Sequence, residues 1–184
     1  ETWNNDLPYV ILGGLYVHEN VTLTINSGCR IYMHADAPLI VDGSLRTNGG
    51  VDTADHIVFT GDRLDEPYRD FPASWPGIYF RSPSRDSRLQ YTEIRNAYQA
   101  IIVEDPSPNL QPKLILKECI IDNAYDIGLA GINTSIEAEN CLITNCGRNM
   151  VLAGGGNYLF KHCTVAAFSN SYMLHSDPVL QVSN

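Results

Sequence analysis

Cys119, Cys141 and Cys163 stand 22 residues apart, and each opens a similar phrase: Cys119-Ile-Ile-Asp-Asn123, Cys141-Leu-Ile-Thr-Asn145, Cys163-Thr-Val-Ala-Ala167. A fourth copy, Thr92-Glu-Ile-Arg-Asn96, lies 27 residues before Cys119, and the extra length fits the loop from 104 to 112, which holds three of the ten prolines. A repeat of this length with no helical stretch predicts a solenoid, because one such unit cannot bury its apolar face without a neighbour.

Within each repeat the apolar residues alternate, the signature of strands. One ladder reads Ala100/Ile102, Ile127/Leu129, Met150/Leu152 and Tyr172/Leu174. A second reads Ser87/Leu89, Leu114/Leu116, Ile136/Ala138, Tyr158/Phe160 and Leu180/Val182; the third is the Thr/Cys series with Ile94, Ile121, Ile143 and Val165. Residues 9 to 60 continue the pattern through Leu15/Val17 and Leu39/Val41, Leu23/Ile25 and Leu45/Thr47, and Ile31/Met33 and Ile57/Phe59. The expectation is an all-β right-handed parallel β-helix over residues 1–184, with three parallel sheets, about seven coils and insertions at 61–76 and 104–112. Asn96, Asn123 and Asn145 end the third strand of successive coils, where stacked amides can bond one another and the turn backbone.

Composition narrows the function. A net charge of -9 with no basic stripe argues against wrapping a phosphate backbone. No stretch has the roughly 18 apolar residues of a membrane span. The five cysteines include no C-x-x-C pair, so stacked core thiols are expected, ahead of a Cys141/Cys146 or inter-coil disulfide and of a metal site. Cys29 is placed in the turn after Gly28, His162 at a turn or on the surface, and Gly154-Gly-Gly156 in a turn between strands.

The run Tyr9-Val-Ile-Leu-Gly-Gly-Leu-Tyr-Val17, followed by Thr22-Leu-Thr-Ile25, Leu39-Ile-Val-Asp-Gly43 and Ile57-Val-Phe-Thr-Gly61, resembles the opening coils of the pectate-lyase-like superfamily. It is similar in particular to secreted or lipid-anchored surface β-helix proteins of Bacteroidetes. The resemblance implies a secreted or cell-surface location and, since those chains are usually longer, a piece of a longer solenoid. It covers nearly all of the chain and is specific for fold, not for reaction.

Enzymes of that superfamily carry their chemistry on the outer face of one sheet, yet the outward residues expected for the first ladder, Tyr16, Ile40, Tyr79, Ile101, Gly128, Val151 and Met173, include no carboxylate. Arg46, Arg88, Glu93 and Glu137 remain on the other two sheets. The apolar strip itself calls for a cover, which the two insertions, further chain or a partner could supply; alternatively it binds a ligand with Tyr16 and Tyr79 as stacking platforms. The 61–76 insertion is the best candidate for contacts. Trp75 and Tyr68 could stack on a sugar or pin the loop to the coil, and Asp62, Asp65, Glu66 and Asp70 offer oxygens for calcium, although Arg63 and Arg69 among them favour a salt-bridged loop. The expected ligand-binding residues are Trp75, Tyr68, Tyr79, Arg69, Asp65, Asp70, Arg81 and Tyr16, with no catalytic residue, metal site or cofactor assigned. The expected role is a module that binds a polysaccharide or a surface protein; the rivals are a lyase or hydrolase of an acidic polysaccharide and a structural stalk or adhesin segment.

Overall fold

The structure, a computed structural model, describes residues 1–173 and 175–184; the expected inward residue Leu174 lies outside the described residues. The described fold is all-β, its strand pairs are parallel, and its only helical turns are the three-residue 3-10 segments Thr53–Asp55 and Tyr68–Asp70. The strands form two curled sheets, of twelve and seven strands, giving a solenoid-like architecture.

Two of the three ladders read from sequence belong to one hydrogen-bonded sheet. One limb runs through Leu15–Val17, Leu39–Val41, Ile78–Phe80 and Gln99–Glu104, the other through Thr22–Asn26, Ser44–Asn48, Ser87–Gln90 and Leu114–Lys117. Both meet in the long strand Ile127–Glu139, which pairs with Gln99–Glu104 at one end and Leu114–Lys117 at the other. The next coil repeats this in Arg148–Lys161. The glycine run Gly154 to Gly156, expected as a turn, therefore sits inside a continuous strand where it bends from one limb to the other. A Cβ at Gly156 would stand 2.0 Å from the carbonyl oxygen of Thr134, and its φ is +123°, so only glycine passes this corner.

The seven-stranded sheet comprises Tyr9–Ile11, Arg30–Met33, Ile57–Gly61, Thr92–Arg95, Ile120–Asp122, Leu142–Thr144 and Thr164–Ala166. Each of its four later strands is entered through a left-handed residue, and the first three of them are left through one. Tyr91, Glu118, Asn140 and His162 precede them and Asn96, Asn123 and Asn145 follow them, all with φ between +45° and +61°. Asparagine accepts this region more readily than most residues, which accounts for its place after the strand. The Thr/Cys column answers the entering corner: Thr92 Oγ1 donates to Gln90 O (3.0 Å), and the thiols of Cys119, Cys141 and Cys163 donate to Lys117 O, Glu139 O and Lys161 O, each at 3.3 Å. Threonine and cysteine share a short side chain with a donor at its γ position, so either closes the same corner while facing the core.

Several pairings differ from those read in the sequence. Ile31 faces Phe59 rather than Ile57, so Cys29 leaves its expected turn position and adjoins Ile57 at the head of the Thr/Cys column. Ile78 and Phe80 face Ile101 and Val103, which puts Ile101 in the core and Ile102 on the outer face, the reverse of the expectation. Leu180 and Val182 pair with Met150 and Leu152 and so extend the first ladder, not the second. All five cysteines are free, and burial pushes the Cys146 thiol up to about 12.

One core cluster fills the interior from Trp3 to Met150. Each fully buried aliphatic side chain in it contributes about 1.5–3 kcal/mol relative to exposure. Lys113, also fully buried, donates from Nζ to Glu104 O (2.7 Å), Ser82 O (2.9 Å) and Arg81 O (3.2 Å), closing the base of the 104–112 insertion with backbone carbonyls.

Candidate functional site

The outer face of the seven-stranded sheet is polar where alternation points side chains away from the core. Register aligns Tyr32, Thr60, Arg95, Asp122 and Thr144 in one row, with Val58, Glu93 and Ile120 in the row beside it. Over these rows lies the 61–76 insertion. Its backbone is held by the asparagine corners: Asn96 Nδ2 donates to Arg69 O (2.7 Å), and Asn123 Nδ2 to Asp70 O (3.0 Å) and to Asn96 Oδ1 (2.8 Å). The amide ladder read from sequence is thus a fastening for the loop. Asn170 Nδ2 donates to Asn145 Oδ1 (3.3 Å), a separate amide pair beyond this ladder.

Sheet, loop and the segment carrying Asn170 and Tyr172 border an open cleft of about 620 Å3. Arg30, Tyr32, Val58, Thr60, Glu93, Arg95 and Asp122 line its sheet side, and Leu64, Arg69, Asp70 and Tyr172 its loop side. Most of its charges are engaged. The Arg30 guanidinium donates to His56 O (2.5 Å) and Ala54 O (3.3 Å). The Glu93 carboxylate is gripped by His56 Nδ1 and Arg95, both at 2.7 Å. Arg69 pairs with Glu66 at 2.8 Å. Asp122 differs: among the described residues its side chain has no ion-pair partner, and partial burial pushes its carboxyl above the usual range, against the opposing pull of the Arg95 charge and the Asn123 backbone N–H.

Of the eight residues expected from sequence, Arg69 and Asp70 line this cleft. Tyr68 packs edge-on against Phe71 (5.3 Å), which in turn meets Tyr172 (5.0 Å). Trp75 is fully buried, stacked on Phe59 at 6.4 Å, with Nε1 donating to Arg95 O at 2.9 Å. Of the two roles open to it, it takes the pinning one, since no face is left for a sugar. Asp65 is bonded to Arg63 at 2.9 Å, which holds its carboxyl below the usual range; Arg63 also lies 4.1 Å over the Tyr68 ring. With Asp62 on His34 (2.6 Å) and Glu66 on Arg69, the acids of the loop have cationic or histidine partners instead of converging on one point.

Tyr16 and Tyr79 lie on the other sheet, and Arg81 just past the strand that carries Tyr79. Tyr16 is 53% exposed and stacks on His18, Tyr79 donates from its hydroxyl to Pro76 O (3.1 Å), and Arg81 pairs with Asp42. In register their strip reads Tyr16, Ile40, Tyr79, Ile102, Ala130, Val151 and Gln181. Its middle is closed by its own members: Ile102, Ile127 and Ala130 are buried against Tyr79 and Val151. Ile101 and Met173, expected there, are buried instead, and a Cβ on Gly128 would point at Cys146 and Ile143.

Sequence reading passes over Arg30, Tyr32, Arg95 and Asp122, and places Tyr172 in the first inward ladder, whereas its ring is half-exposed at the cleft. The alternation in Thr92-Glu-Ile-Arg-Asn96 and Cys119-Ile-Ile-Asp-Asn123 already placed Arg95 and Asp122 outward on adjacent strands. The chain matches no family model, no curated protein and no solved structure. What carries over from the superfamily resemblance is its coarse architecture, parallel strands in curled sheets.

Proposed function

We propose that the chain is a right-handed parallel β-helix of about seven coils that serves as a secreted or cell-surface module binding a glycan in the cleft beneath the 61–76 loop. Right-handedness rests on the strong rule for crossovers between parallel strands. The observation that carries the binding role is the cleft itself: a preformed concavity of about 620 Å3 in which polar side chains sit on rigid strands. Retardation of the chain in native gels containing polysaccharides tests this. At least one polymer should slow it; Val58→Trp, which fills the cleft from the sheet side, should abolish the shift, and Tyr16→Ala should keep it. Free migration in every polymer contradicts the reading.

One observation favours a second reading, hydrolysis of the bound glycan. Asp122, with its raised carboxyl, lies close to Glu93 on the neighbouring strand, and two carboxyls in different surroundings can divide acid and base roles. Release of reducing ends from a retarding polymer, lost in Asp122→Asn, would establish it.

A further inference from the structure

We infer that the ligand of this cleft is an uncharged, hydroxyl-rich glycan, one of whose vicinal diols is held between Arg95 and Asp122. The inference rests on the glycan-binding reading above and specifies its substrate class. Three cations, Arg30, Arg69 and Arg95, line the cleft against three acids, Asp70, Glu93 and Asp122, so its formal charge sums to zero. Each guanidinium is already engaged, Arg30 by backbone carbonyls, Arg69 by Glu66 and Arg95 by Glu93. A uronate or sulfate would meet an Arg95 charge already offset by Glu93 and would lie against the unpaired Asp122 carboxylate. That repulsion is unfavourable, and a chain of net charge -9 gives no long-range attraction to offset it.

Hydroxyl groups meet no such repulsion. Arg95 is opposite Asp122 in the strand register, which sets their backbones about 4.8 Å apart. The Arg95 side chain is 45% exposed and meets Glu93 through one terminal nitrogen, leaving other N–H groups free to donate. Beside it Asp122 offers an acceptor. A donor and an acceptor side by side suit two adjacent sugar hydroxyls, one accepting from the guanidinium and one donating to the carboxylate. Tyr32, next to Thr60 in the same row, adds a hydroxyl with no hydrogen-bond partner among the described residues, and the half-exposed Tyr172 adds a ring on the loop side.

The test is a glycan array carrying neutral, uronic, sulfated and amino-sugar chains, followed by calorimetric titration of the strongest binder. The expected result is binding concentrated among neutral chains, weakened roughly tenfold or more in Asp122→Asn and in Arg95→Gln, as loss of a hydrogen bond to a charged group implies. Melting curves of both variants show that they remain folded. Binding concentrated on anionic or amino-sugar chains overturns the neutral class while leaving glycan binding intact. Neutral binding unchanged in both variants overturns the diol contact. An array with no binder overturns the glycan reading and this inference with it.

Discussion

Arg95 and Asp122 face each other on adjacent parallel strands, yet Arg95 gives its guanidinium to Glu93 at 2.7 Å, on its own strand, and Asp122 keeps no side-chain partner among the described residues. Glu93 wins because His56 meets its other oxygen, at 2.7 Å, fixing the carboxylate where Arg95 reaches it. The result is an acceptor left open on the floor of a cleft.

That open carboxylate carries a stability cost with a defined pH dependence. Because burial raises the folded-state pKa of Asp122, the folded chain binds its proton more tightly than the unfolded chain does. Stability from this group is therefore greatest below the unfolded pKa and is lost as pH rises through the folded one. Asp122→Asn should raise the melting temperature at pH 7, by a gain below about 1 kcal/mol for a side chain only half-buried, and the gain should vanish at pH 3. Thermal melts at the two pH values measure it.

The asparagine corners should hold the 61–76 loop more than they hold the coils. Asn123→Ala removes the donors to Asp70 O and Asn96 Oδ1, at an expected cost of about 1–3 kcal/mol, while its positive φ adds strain. Hydrogen exchange should quicken at residues 69 to 74 before it does in the strands. Equal acceleration throughout would contradict a fastening role.

How far the sequence led can be judged residue by residue. The Cys119, Cys141, Cys163 column and the second ladder from Leu114 to Phe160 pair in the expected register through unbroken 22-residue steps, and the 27-residue step from Ser87 to Leu114 also holds because the 104–112 loop takes up the extra length. Register differs from the expectation at Ile31, Ile101 and Leu180. A strand shifted by two residues keeps every side chain on its own face, so periodicity could not separate Ile31 opposite Ile57 from Ile31 opposite Phe59. Ala100-Ile-Ile-Val103 is wholly apolar and offers no alternation to read. Leu180 lies 22 residues after Tyr158, the expected step, but pairs with Met150, 30 residues back, because the segment after Ala166 takes a longer path. The cleft was the least legible part: alternation placed Arg95 and Asp122 outward, but only the fold of the 61–76 loop onto Asn96 and Asn123 turns that face into a site.

Lys113 should be hard to replace. Lys113→Ala removes the donor to the carbonyls of Arg81, Ser82 and Glu104 and opens a cavity, with an expected loss of about 2–4 kcal/mol. Lys113→Met fills the space but leaves the carbonyls unpaired, so it should recover only part of the loss. Urea unfolding of both variants measures the difference, and a fully stable Lys113→Met would contradict the carbonyl-capping role.

If the Thr/Cys column serves its corners, Cys119→Thr should be tolerated better than Cys119→Ala, with Thr92 as the precedent one coil earlier. The alanine variant loses the bond to Lys117 O and the contacts of a buried thiol, about 1–2 kcal/mol. Chemical denaturation of the two variants checks the order; alanine equal to or better than threonine would leave the column as packing alone.

The location of binding is the central claim, and amide chemical-shift mapping of the labelled chain, titrated with a glycan that retards it, tests it most directly. Perturbations are expected in Thr92–Arg95, Ile120–Asp122 and the loop from 64 to 70, with Tyr16, Ile40 and Tyr79 unmoved. Perturbations centred on Tyr16 and Tyr79, with Arg95 and Asp122 silent, would contradict that claim and return the site to the apolar strip.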